Sequence, residues 1–379
     1  MAMEAFFNHS STTPRAIMRL FKYLEDRPSF SSPDAIIPTV DLELRLELIK
    51  DICEKYETAN IETLHFTKLQ LSALLIMPLD TLRLAKQMPS LISTWLPTDL
   101  YPRFMMQGKL LDSQAGSGGT SQVSASASVN SSASVHRNAR EREKCLARDG
   151  RVCVFTKTAH PEVCHIIPFA VNAKQINIAF LKQLHGPSTG LMGSETANSL
   201  SQLAATAPGS SDKSWNMLCL HPLLHSFWGK CLFAIKCLGI IPSDNKHSIV
   251  RLQFHWMPRH NHKQNDLVKP PYKDAVEEMI QNLTDKQDTI PGFSVFKDSS
   301  ARELETGETF DILLEKEDAE KMKVVLDVQW AVVRLSAFSG AAGDWELDDT
   351  PDGEGGAGGS AVAERVESWI EDLPSSTPH

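Results

Sequence analysis

The sequence predicts an α+β protein. Three observations carry that reading: helix-periodic apolar residues dominate the stretch before position 112, a Ser/Gly/Ala-rich break follows, and beyond it short β-like runs bracket a helix. Four regions result. Residues 1–112 form an N-terminal, mainly helical region, 113–135 a flexible linker, 136–342 an elaborated domain of mixed helix and strand, and 343–379 a disordered acidic tail.

The elements follow in order. Residues 1–39 read as partly helical around "PRAIMRLFKYLEDR" and loop-like through "PSFSSPDAIIP". "DLELRLELIKDICEKY" places Leu42, Leu44, Leu46, Leu48, Ile49 and Ile52 mostly within a helical stripe with charges opposite. "HFTKLQLSALLIM" and "PLDTLRLAKQM" continue the helical pattern, each bounded by proline. The linker "SQAGSGGTSQVSASASVNSSASV" lacks residues able to bury a core. A basic helix, "HRNAREREKCLARDG", ends at the turn Asp149-Gly150. "RVCVFT" and "EVCHIIPF" then read as two strands of a hairpin turned by "KTAHP". "AKQINIAFLKQLHG" reads as helical, and "ETANSLSQLAATAPGSSD" as a small, polar, exposed insertion. Pro222 suits the first turn of a helix running to Trp228 and stopping near Gly229. "CLFAIKCLGI" and "SIVRLQFHWMP" are β-like and pair with each other. "KEDAEKMKVVLDVQWAVVRLSAFSG" is an amphipathic helix, and the Gly-rich acidic tail follows.

Charge is spread unevenly. Residues 136–270 hold 17 Lys/Arg against 8 Asp/Glu, a net +9, whereas 301–379 hold 6 against 19, a net −13. A basic middle suits a polyanion such as DNA, because cations that neutralise phosphates release counterions. The same charge would serve equally to solvate a surface. No apolar stretch approaches the roughly 20 residues of a membrane span, and no secretory leader opens the chain. The protein reads as intracellular, with nucleus and cytoplasm both open. Seven cysteines without CxxC spacing argue against a disulfide framework and against a four-cysteine zinc knuckle.

Three residues line up for chemistry: His165 on a strand, Asn216 on a loop, and His225 on the helix nine residues later. Hydrolysis of a phosphodiester needs a base for water and a divalent cation to stabilise charge on the phosphate. The base must also be held in one orientation and tautomer. The three side chains are therefore expected to converge on one cleft. Cys153, Cys219, Cys231 and Cys237 read as core residues. His255, His260 and His262 read as a solvated loop after a strand, and Trp215 and Trp228 as core packing.

"CHIIPF" together with "WNMLCLHPLLHSFWGKCLFAIKCLG" resembles the HNH nuclease domain found in many fungal proteins, a branch of the HNH endonuclease superfamily with its ββα-metal motif. "VRLQFHWMP" and "LDVQWAVVRLSAFSGAAG" resemble the same branch, so the likeness covers about residues 137–342 and leaves out the N-terminal helices. It implies that His165 is the general base, that Asn216 fixes the turn and orients the base, and that His225 binds the ion. Glu162, Cys164 and His221 are the further candidates for the ion. Mg²⁺, Mn²⁺ and Zn²⁺ all suit imidazole and oxygen donors. Two positions depart from the common pattern: Gly229 stands where many relatives carry a second helical ligand, and Cys164 where many carry Asp or His. Two functions follow. One is metal-dependent hydrolysis of DNA. The alternative is a degenerate HNH fold kept as a nucleic-acid or protein interaction module, with the N-terminal region available to a protein partner.

Overall fold

The computed structural model describes residues 13–60, 64–108, 136–258, 262–284, 294–298 and 300–344. The linker 113–135, His260 and the tail beyond 344 lie outside the described residues. The N-terminal region is helical for local reasons as well as by its apolar spacing. Helix α1 (Pro14–Glu25) starts on a proline, with the Thr13 hydroxyl accepting from the Ala16 amide. Helix α2 spans Leu42–Asn60 and buries Ile49 and Ile52. Helix α3 (Lys68–Ile76) opens with a reciprocal cap between Thr67 and Gln70, and α4 (Leu79–Gln87) and α5 (Leu100–Gln107) follow.

Helix α6 (Ala139–Arg148) is capped by Asn138, whose Oδ1 accepts from the Arg140 and Glu141 amides. The hairpin expected next does not form. Strand β1 (Glu162–His165) pairs antiparallel with β2 (Met217–Leu220), in the register Glu162 to Leu220 and His165 to Met217. "RVCVFT" contributes one isolated bridge, Val152 to Ala159, because Arg151 holds a left-handed φ of 59° and the chain then turns within the run, the Lys157 amide donating to the Cys153 carbonyl at 3.0 Å. Its Val154 amide instead donates to the Cys219 carbonyl.

Between β1 and β2 run α7 (Gln175–Gln183), α8 (His185–Met192) and α9 (Ser194–Ala204). The stretch expected as an exposed insertion is therefore largely helix α9, and Ala197, Leu200 and Ala204 are buried along one side. Their three- and four-residue spacing makes that stripe; small side chains hid it. Gly186 and Gly190 let α8 lie directly on the chain at Thr94 and Trp95, since a Cβ at either would sit 2.6 Å from a carbonyl oxygen there.

Helix α10 spans Pro222–Gly229, as expected. Strands β3 (Phe233–Pro242) and β4 (His247–Trp256) pair as expected, and α11 (Tyr272–Thr284) follows. Strand β5 (Thr309–Glu315) completes an antiparallel sheet in the order β3-β4-β5. His255 lies inside β4 rather than in a solvated loop. It is 2% exposed, its Nε2 meets the Gln253 amide oxygen at 2.8 Å, and burial pushes its imidazole down to about 4.

Helix α12 (Lys316–Ser339), about 36 Å long at 1.5 Å per residue, runs through the middle. One hydrophobic cluster gathers Leu74, Tyr101 and Phe104 from the N-terminal helices, Ile166 and Leu218 around β1 and β2, and Leu326 and Phe338 of α12. The N-terminal helices thus share a core with the rest of the chain.

Candidate functional site

Asn216 ends a short turn, Ser214–Asn216, that leads into β2. Its side chain is fully buried and every polar atom is used. Oδ1 accepts from the Ile167 amide at 2.9 Å, and Nδ2 donates to the Ile167 carbonyl at 2.9 Å and to the Ser211 carbonyl at 3.0 Å. Its own carbonyl accepts from the Ile166 amide at 2.8 Å. Asn216 therefore clamps the chain just beyond His165 and stitches it to the segment leading into β2.

His165, the last residue of β1, is held by a residue that sequence reasoning missed. Its Nε2 lies 2.9 Å from Oδ1 of Asp212, and the side chains are 9% and 4% exposed. The other oxygen of Asp212 accepts from the Asn138 amide at 2.6 Å, tying the pair to the start of α6. Burial pulls the Asp212 carboxyl upward. The hydrogen bonds from His165 and the Asn138 amide, with the charges of His165 and Arg137, outweigh it and leave the carboxyl below its ordinary value. Phe169 packs beside the imidazole at 5.7 Å between ring centres, and the Arg137 guanidinium sits over the Phe169 ring. The only sequence cue to Asp212 is a lone carboxylate in a run of small polar residues.

His225 forms a second pair. Its Nδ1 lies 2.6 Å from Oε2 of Glu162, and both side chains are 46% exposed. His221 caps α10, its Nδ1 accepting from the Leu223 amide at 3.2 Å. Burial lowers the His221 pKa, and the charge of Glu162 opposes that shift. Cys164 is 3% exposed within the main core, its thiol hydrogen-bonded to the Glu162 carbonyl, and burial pushes that thiol well up.

Strand alternation accounts for this sorting. Val163 packs on a small cluster of Cys145, Leu146, Met217 and Cys219 beneath α6, whereas Cys164 belongs to the main core. The structure thus brings Glu162 to His225 and His165 to Asp212, with Asn216 under the turn. No hydrogen bond or ion pair among the described residues joins the two pairs. Gly229, one turn beyond His225, has open space where a Cβ would stand. A further group with metal-competent donors lies under α6: those of Cys145, Asp149 and Cys219 all fall within 4.8 Å of one another.

A two-stranded antiparallel ribbon, an asparagine that clamps the chain beyond β1 and a short helix bearing a histidine make a ββα unit. Residues 153–236 match the family of HNH endonucleases, a span that contains β1, Asn216, β2 and α10. No curated protein and no solved structure matches the chain.

Proposed function

We propose that the protein is a metal-dependent endonuclease that hydrolyses phosphodiester bonds in DNA, with His165 as general base. The observation that carries this reading is the buried hydrogen bond between His165 Nε2 and Asp212. A proton kept on Nε2 by the carboxylate leaves the lone pair of Nδ1 to take a proton from water. That water attacks phosphorus as the bond to the leaving oxygen breaks. Asn216 positions the base by holding the backbone beyond it. Arg137, close to Asp212 and Phe169, adds positive charge for a phosphate.

Glu162 and His225 would hold the ion, which would supply charge stabilisation on the phosphate oxygens. The donor set fits: one carboxylate and one imidazole suit Mg²⁺, Mn²⁺ or Zn²⁺. Two such donors at about 2.1 Å from one ion and at right angles stand about 3.0 Å apart, so the 2.6 Å pair needs to open by only a few tenths of an ångström. Half exposure leaves both side chains free to do so.

A second reading has its own support. Among the described residues Glu162 and His225 do not belong to any group of three metal-competent donors, Gly229 offers no side chain, and Cys164 faces the core. On those grounds the fold would serve as a nucleic-acid or protein interaction module without turnover. The exposed apolar residues of α1, Met18, Phe21 and Leu24, would suit a protein partner. No described helix is long and apolar enough to cross a membrane. Plasmid nicking by the full chain with Mg²⁺, Mn²⁺ or Zn²⁺ in turn decides between the two readings. Nicking that needs both an ion and His165 supports the enzyme. Salt-sensitive DNA binding with no nicking under any ion supports the module.

A further inference from the structure

We propose that Cys145, Asp149 and Cys219 form a second, structural metal centre for a thiophilic divalent ion, zinc by its chemistry, separate from the Glu162–His225 pair. The spacing of the donors is the first argument. The two sulfurs lie 3.8 Å apart, and Sγ of Cys145 lies 3.6 Å from Oδ2 of Asp149. Tetrahedral zinc, with Zn–S of about 2.3 Å and Zn–O of about 2.0–2.2 Å, sets sulfur to sulfur at about 3.8 Å and sulfur to oxygen at about 3.5–3.7 Å. Two of the three separations therefore already match those that one ion would impose, and the third, between Cys219 and Asp149, lies within 4.8 Å. A small ligand such as water would complete the tetrahedron.

The surroundings are the second argument. Metal ligands are held and tuned by hydrogen bonds from groups behind them. Here Nη2 of Arg148 points at Sγ of Cys145 at 3.4 Å and at Oδ2 of Asp149 at 2.9 Å. The Cys219 amide donates to the same carboxylate oxygen at 2.9 Å. Arg148 is itself fixed, through Nε to Oδ1 of Asp149 and through its other nitrogens to the carbonyls of Ser214 and Met217. The charges also balance. Arg148 and Asp149 cancel, so a divalent ion that displaces the protons of two thiols leaves the buried centre neutral, as it was before.

The position gives the centre its role. Cys145 and Asp149 lie at the end of α6, and Cys219 lies on β2 two residues from Met217, the register partner of His165. Helix α6 also begins at Asn138, which holds Asp212. An ion here would rivet α6 to β2 and so steady the wall against which His165 is held. Both cysteines are fully buried, so the three protein donors would shield an ion from bulk solvent.

The test reads metal, not activity, so it stands whatever becomes of the nuclease reading. The full chain is purified under reducing conditions, supplied with zinc and dialysed, and its metal content is measured. About one equivalent should remain in the wild type and in a Glu162→Gln/His225→Ala double variant, and be lost in Cys219→Ser, with Cys237→Ser as the unaffected control. A second measurement needs no variant to fold. Cobalt in place of zinc should give the wild type an intense near-ultraviolet sulfur-to-cobalt charge-transfer band, which nitrogen and oxygen ligands cannot produce. Zinc absent from the double variant together with no such band, or a band that survives both Cys145→Ser and Cys219→Ser, overturns the centre. So does an intact mass two hydrogens short with no metal bound, which would make the pair a disulfide.

Discussion

His165 and His225 are both histidines hydrogen-bonded to a carboxylate, and they could hardly be placed more differently. The His165–Asp212 pair is almost wholly buried and anchored at both ends, by the Asn216 clamp and by the Asn138 amide. The His225–Glu162 pair stands half in water, between the first residue of β1 and a short helix. A buried, fully bonded pair keeps one geometry, because leaving either partner unsatisfied costs more than the bond contributes. An exposed pair is worth about 0–1 kcal/mol and gives way readily. The difference suits the proposed roles: a base must be fixed before the substrate arrives, whereas ion ligands must trade one another for the ion.

The largest expected effect breaks the buried pair at its centre. His165→Ala should lower the nicking rate at least about a hundredfold, the usual worth of a positioned general base. Circular dichroism and thermal melting must show that the variant remains folded. A folded variant that nicks at the wild-type rate removes His165 from the chemistry.

The next effect separates the base from its holder. Asp212→Asn keeps the shape and removes the charge, and should slow nicking roughly tenfold, about 1.4 kcal/mol in the barrier. The diagnostic readout is the pH profile. The Asp212 carboxyl, held below its ordinary value, stops serving as a charged partner only as pH falls through its folded value; Asp212→Asn removes that titration, so the acid end of the profile should change. Stability moves by the same linkage. A carboxyl held below its ordinary value contributes stability that is present above the ordinary carboxylate range and is lost as pH falls through the folded value. Asp212→Asn should therefore unfold with a weaker dependence on acid than the wild type. An unchanged pH profile would leave Asp212 a structural residue only.

What was legible in the sequence followed the same division. His165, Asn216 and His225 stand out in the sequence because the motifs around them resemble a nuclease family, and only Asn216 and His225 lie close together, nine residues apart across a helix start at Pro222. Asp212 does not, because its role exists only once the start of α6, 74 positions away, is folded against it. The partner of β1 was misjudged because "RVCVFT" looks as β-like as "MLCL". A left-handed Arg151 and a turn that closes from Cys153 to Lys157 spoil it, and no side-chain pattern announces them. His255 reads as solvated in the sequence because three close histidines lack partners at a defined spacing, while the β4 pairing that buries it is long-range. The Cys145–Cys219 contact joins Cys219, which the sequence marks as core, to Cys145, which it leaves unassigned, and both are core.

A smaller effect adds to the exposed pair. Gly229 lies four residues after His225, on the same side of α10, with open space for a side chain. Gly229→His should supply a third donor and lower the metal concentration needed for half-maximal nicking by about tenfold, roughly 1.4 kcal/mol of binding. A metal requirement that does not move would place the ion elsewhere than beside His225.

The smallest expected effect is on stability, and it tests the exposed pair as a pair. Glu162→Gln keeps a hydrogen-bonding oxygen for His225 but removes the carboxylate charge. Both partners are half exposed, so solvent screens their attraction, and chemical denaturation should register a loss below about 1 kcal/mol. The same substitution should raise the metal concentration needed for nicking, because a neutral amide is a poor ligand for a divalent ion. That contrast, little change in stability beside a clear change in metal requirement, is what a side chain kept for an ion should give. A loss of several kcal/mol would mean that the Glu162–His225 contact holds α10 onto β1 and serves the fold. No change in either measurement would leave the pair an incidental surface contact, and the module reading would then account better for this half of the site.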